Sequence, residues 1–83
     1  MGKLYQRLFE IYDFIEAFWN ENGYSPSQAD IAAGVGITTP SVLHNLKTME
    51  VLGMIERPAH RVRAIKLVSR KPDWDALFSP LES

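Results

Sequence analysis

Leu4, Leu8, Ile11, Tyr12, Ile15, Phe18 and Trp19 recur at the three- and four-residue spacing of one helical face, with Glu10, Asp13 and Glu16 between them. The pattern predicts an amphipathic helix over residues 4–22, with Gly23 where a C-cap belongs. Tyr5, Phe9 and Phe14 widen its apolar surface beyond a single stripe. Tyr24-Ser25-Pro26 reads as extended chain, because a proline ring crowds the preceding residue out of the helical region. Ser27 and Asp30 then have the spacing of a capping box, a hydroxyl at N-cap and a carboxylate at N3. The short helix they open runs from residue 28 to about 33 and ends in Gly34-Val35-Gly36. Thr39 suits the cap of a third helix, with Pro40 at its first position. Val42, Leu46, Met49 and Leu52 space its inner face over residues 40–52, until Gly53 stops it. Residues 54–57 and 63–68 read as two strands, joined by the turn Pro58-Ala59-His60-Arg61.

The middle of this order carries a functional pattern. Two helices that cross steeply through a tight turn need a small residue where they touch, and Ala32 supplies it. The turn needs a backbone with positive φ, which Gly36 permits. Ile31, Val35, Ile37, Val42 and Leu46 then bury the two inner faces. An ordinary helical hairpin also wants alanine and glycine, but the joint match favours a helix-turn-helix, whose second helix presents its outer face to the DNA major groove. With the hairpin behind it, the expected fold is mainly α with a small β-hairpin, a winged helix-turn-helix of three helices and a two-stranded wing.

Charge sharpens this reading. The net charge of −1 hides a segregation, for Lys47, Arg57, Arg61, Arg63, Lys66, Arg70 and Lys71 face only Glu50 and Glu56 across residues 47–71. Acids outnumber bases on both sides of that segment. A local basic stripe on a near-neutral chain fits a polyanion-binding edge, although a solvated strand surface has the same composition.

Other classes recede. Eighty-three residues, 46 % of them hydrophobic and 23 % charged, suit one compact core and not a disordered or collagenous chain. Cysteine is absent, and His44 and His60 stand sixteen residues apart, so no structural metal site is expected. Ser41, His44 and Asp30 form a catalytic set only on paper, without a nucleophile elbow or a glycine-rich phosphate loop. The expectation is a non-enzymatic, soluble cytoplasmic protein with no cofactor, no small-molecule ligand and no membrane span.

From residue 11 to residue 68 the chain resembles the N-terminal DNA-binding domain of the LexA repressor family. The resemblance rests on Asp13-Phe14-Ile15, on Asn22-Gly23-Tyr24-Ser25-Pro26-Ser27, on Gly53-Met54-Ile55 and, most of all, on Arg63-Ala64-Ile65-Lys66-Leu67. It departs from that family in a turn one residue shorter before the third helix, so no base specificity is carried over. Residues up to Ser83 carry no serine–lysine self-cleaving domain, and the resemblance implies DNA binding without implying an SOS role. The implied function is sequence-specific binding of double-stranded DNA by a transcriptional regulator, a repressor, with helix 40–52 in the major groove. The alternative is a winged helix used for protein–protein contact.

Helical geometry turns Thr39, Ser41, Leu43, His44, Lys47 and Thr48 outward when Val42, Leu46 and Met49 face the core. Thr38, Thr39 and Ser41 stand at the helix N-terminus, where hydroxyls and backbone N–H groups suit a phosphate or a base edge. Leu43 suits a thymine methyl, His44 a guanine or a phosphate, and Lys47 a phosphate. Asn45 falls on the inner side as a hydrogen-bonding residue. Arg61 and Arg63, with His60, line the wing beside the backbone or minor groove, and Lys66 points the other way along the strand. One module supplies limited interface area, so a homodimer is expected. Residues 1–71 form the expected DNA-binding domain and 72–83 a C-terminal extension. There Trp74, Leu77, Phe78 and Leu81 make a short apolar stripe, interrupted by Pro80, suited to packing on the first helix within one chain or across a dimer.

Overall fold

All three helices contribute fully buried side chains to a common centre. Leu8, Ile11 and Ile15 come from the first, Ile31 from the second, and Val42, Leu46 and Met49 from the third. A computed structural model of the chain describes residues 2–58 and 64–75, with side chains from Tyr5 onward. Its elements are α1 (Gly2–Asn22), α2 (Gln28–Val35), α3 (Thr39–Val51), β1 (Ile55–Glu56) and β2 (Lys66–Leu67). The strands pair antiparallel, Ile55 opposite Leu67 and Glu56 opposite Lys66. The expected order of three helices and a hairpin therefore holds, in a mainly helical fold consistent with a winged helix-turn-helix.

Boundaries differ from expectation for local reasons. Helix α3 starts at Thr39 and ends at Val51, not at 40 and 52, because Thr38 and not Thr39 is the N-cap. Thr38 is extended (φ −79°, ψ 158°), and its Oγ1 accepts the Ser41 N–H at 3.3 Å. Leu52 instead forms the C-cap, and Gly53 follows at φ 73°. Helix α2 runs two residues beyond 33, since Gly36 alone takes the left-handed turn at φ 83°. The Gly36 and Ile37 N–H groups both donate to the Ala32 carbonyl there. Gly34 stays helical and has another task. A Cβ at Gly34 would collide with the Phe14 ring of α1, so the absence of a side chain here leaves room for that ring against α2. The capping box forms as expected, Ser27 Oγ accepting from Asp30 N and Asp30 Oδ2 from Ser27 N.

Nothing lies within 4 Å of the point where a Gly36 Cβ would stand, so only backbone strain opposes a side chain there. Gly36→Ala is expected to cost about 1–2 kcal/mol and Gly36→Asn less, since asparagine tolerates the left-handed region. Urea titration of the two variants checks this; equal losses would assign the cost to something other than φ.

The strands are shorter than the 54–57 and 63–68 expected, although hydrogen bonding continues beyond β2, with Val68 N and Ser69 N both donating to the Met54 carbonyl. Ala59, His60, Arg61 and Arg63 lie outside the described residues.

After β2 the chain folds back on α1. The Arg70 guanidinium grips both Asp13 carboxylate oxygens, at 2.9 and 3.0 Å, and lies 4.8 Å from the centre of the Phe9 ring. That grip holds the Asp13 carboxyl below its ordinary pKa. Asp73 N donates to the Leu52 carbonyl, and Trp74 meets Tyr5 edge-on with ring centres 4.5 Å apart. The surplus aromatics of α1 thus find an intrachain partner as far as Trp74, whereas Leu77, Phe78 and Leu81 lie outside the described residues. Among the described residues, no helix is long and apolar enough to cross a membrane.

Candidate nucleic-acid interface

Helix α3 divides cleanly into two sides. Val42, Asn45, Leu46 and Met49 are buried, while Thr39, Ser41, His44 and Lys47 are exposed. Leu43 and Thr48 are half-buried at the border, and Thr38 is exposed at the cap. Six of the residues singled out from sequence (Thr38, Thr39, Ser41, Leu43, His44 and Lys47) therefore share one helix and its cap. Arg61 and Arg63, the other two, lie outside the described residues.

Hydrogen bonds decide what several of these groups have left to offer. Thr38 Oγ1 accepts the Ser41 N–H and donates to Ser41 Oγ at 3.0 Å, so this hydroxyl is engaged in capping. The Ser41 O–H is not used in that pair. Thr48 Oγ1 donates to the His44 carbonyl, an intrahelical bond that ties the hydroxyl to its own backbone. Asn45, 8 % exposed, donates to the Ser41 carbonyl at 2.7 Å and belongs to the inner side.

The basic segment is narrower in space than in sequence. Arg57 turns back on Glu50, with Nε and Nη2 at 3.2 and 3.1 Å from one carboxylate oxygen. Arg70 turns back on Asp13. Both cations are already paired with a carboxylate, Arg57 half-buried and Arg70 at the surface, whereas Lys47, Lys66 and Lys71 are exposed. The Arg57–Glu50 pair has its own use, since it ties the end of β1 to the last turn of α3. Sequence reasoning missed it, because two residues seven apart across a turn carry no periodic signal.

Two members of the enzyme-like set take part in helix caps. Asp30 belongs to the α2 cap and Ser41 to the α3 cap. Among the described residues, no three histidines or carboxylates are grouped to hold a metal ion.

The profile of the LexA DNA binding domain matches residues 1–64, which include all three helices and β1. The chain belongs to the LexA DNA-binding domain family. It is 40 % identical over 73 residues to the LexA repressor of Carboxydothermus hydrogenoformans, covering 87 % of this chain and 36 % of that one. It is 38 % identical over 74 residues to the LexA repressor of Staphylococcus epidermidis, covering 88 % and 36 % respectively. It is 43 % identical over 65 residues to the LexA repressor of Mycobacteroides abscessus, covering 77 % and 29 %. The chain thus spans about a third of the length of the curated LexA repressors it matches. In this LexA-type domain, β2, Arg70 and Trp74 lie beyond the span of the family profile.

Proposed function

We propose that this chain is a sequence-specific binder of double-stranded DNA and a transcriptional repressor, with α3 lying in the major groove. The observation that carries the reading is the exposed row Thr39, Ser41, His44 and Lys47, back to back with a buried row, on the second helix of a LexA-type helix-turn-helix. In this reading Ser41 and His44 meet base edges and Leu43 a thymine methyl. Thr39 and the N-terminal N–H groups of α3 receive a phosphate beside the cap that Thr38 holds, and Lys47 pairs with another. Arg61 and Arg63 act on the backbone or minor groove beside the wing. Residues 1–71 are the binding unit and 72–83 an extension. The protein works in the cytoplasm as a homodimer, since one small module buries too little DNA for tight specific binding. Its role is recognition rather than catalysis.

Phosphate contacts position a protein on DNA without reading it, whereas each good base contact discriminates by about 1–3 kcal/mol. Selection from random duplexes should therefore yield one motif for the wild type and for Lys47→Ala, with Lys47→Ala weaker on every sequence. His44→Ala should relax preference at one position. An unchanged motif for His44→Ala would remove it from the readers, and an uninformative selection with the wild type would sink the sequence-specific reading.

A further inference from the structure

We propose that Ser25 is a positioning residue for the wing, whose hydroxyl holds the returning strand against the helical body; this rests on the DNA-binding reading above. Ser25 lies in the turn between α1 and α2 and is 1 % exposed. Its Oγ accepts the backbone N–H of Ile65 at 3.2 Å, forty residues away in sequence, and approaches the Pro26 carbonyl at 3.3 Å as donor. Ile65 immediately precedes β2 and is itself buried.

The need for such a tether follows from the wing's size. Among the described residues two per strand pair, and a two-stranded ribbon is marginal on its own in water. The angle of the wing is therefore set by anchors to the body, and the two strands use different ones. On one side, β1 is tied to α3 through Met54 N on the Met49 carbonyl and through Arg57 on Glu50. On the other, β2 is tied to the α1–α2 turn through Ser25. The two anchors thus link the reading helix and the first interhelical turn across the hairpin. Lys66, exposed on β2, follows Ile65 directly, and Arg63 precedes it by two residues. A phosphate contact from either cation depends on where the backbone at Ile65 is held. Removing the hydroxyl leaves the Ile65 side chain in the core but strips its N–H of this acceptor, so the strand pivots while the helices stay packed.

Two variants of the full chain separate hydrogen bonding from shape. Ser25→Ala deletes the acceptor, and Ser25→Cys keeps the volume with a much weaker one. In both, hydrogen exchange at the Ile65 amide should quicken about 10-fold or more relative to the Leu46 amide. Affinity should fall about equally on selected and scrambled duplexes, and the log–log salt slope should become shallower by about one. The proposal is overturned if Ser25→Cys exchanges and binds like the wild type, which would make packing volume the cause. It is also overturned if Ile65 and Leu46 amides quicken together, or if the salt slope is unmoved while Ile65 is deprotected. A wild-type chain that binds no duplex removes the functional reading instead. The tether is then judged by exchange alone, where an Ile65 amide as protected in Ser25→Ala as in the wild type rejects it.

Discussion

Raising salt from 50 to 200 mM is expected to weaken duplex binding by this protein about 10²–10⁴-fold, a log–log slope of roughly −4 to −7. Each phosphate neutralised by a cation releases condensed counterions, and the slope counts those phosphates. A dimer contacting about 4–8 phosphates gives that range. Exposure and ion pairing narrow the side chains available for that count. Lys47, Lys66 and Lys71 are exposed, whereas Arg57 and Arg70 already hold Glu50 and Asp13. Substituting alanine for Lys47 should therefore flatten the slope by about one per protomer, while Arg70→Ala should leave it unchanged. Fluorescence anisotropy across a salt series reads both. A wild-type slope shallower than about −2 would contradict the phosphate-centred reading, and a flattening by Arg70→Ala would mean that its ion pair opens on DNA.

How much of this was legible in the chain depends on how far apart the partners stand. The Ser27–Asp30 capping box was readable, because both halves lie within one turn and no tertiary contact has to be guessed. Gly36 was readable for the same reason. The cap of α3 lies one residue before the Thr39 that the spacing suggests, since Thr38 and Thr39 offer two hydroxyls in consecutive positions and only the extended backbone at Thr38 chooses between them. The buried side of α3 does not depend on this choice, because the spacing of Val42, Leu46 and Met49 fixes the face independently of where the helix begins. Charge was read least well. A count along residues 47–71 has no access to a partner 57 residues away, which is how Arg70 finds Asp13. The Ser25–Ile65 bond spans 40 residues and left no mark on local spacing, where Ser25 was only the residue before a proline. Gly34 looked like a helix stop and is instead the point where α2 meets Phe14. The surplus aromatics of α1 did signal a partner, and Trp74 on Tyr5 is one such contact.

The face of α3 can also be tested without DNA. Leu46 is fully buried in the common core, and Leu43, one turn earlier on the same helix, is half-buried at its edge. Leu46→Ala should cost about 2–5 kcal/mol, the lost transfer energy together with the cavity left behind. A domain of this length has roughly 4–12 kcal/mol of stability in total, so that loss removes a large share of it. At about 4–8 °C per kcal/mol, the melting temperature should fall by tens of degrees, and the variant nears unfolding at growth temperature. Leu43→Ala removes the same atoms from a site water already reaches, and should cost no more than about 1 kcal/mol. Its larger effect should appear on DNA, as lost discrimination at a thymine. Circular dichroism melts of the two variants compare the positions directly. Equal thermal losses would mean that the helix presents a different face from the one proposed to read the groove, and Ser41 and His44 would leave the list of base readers together with Leu43.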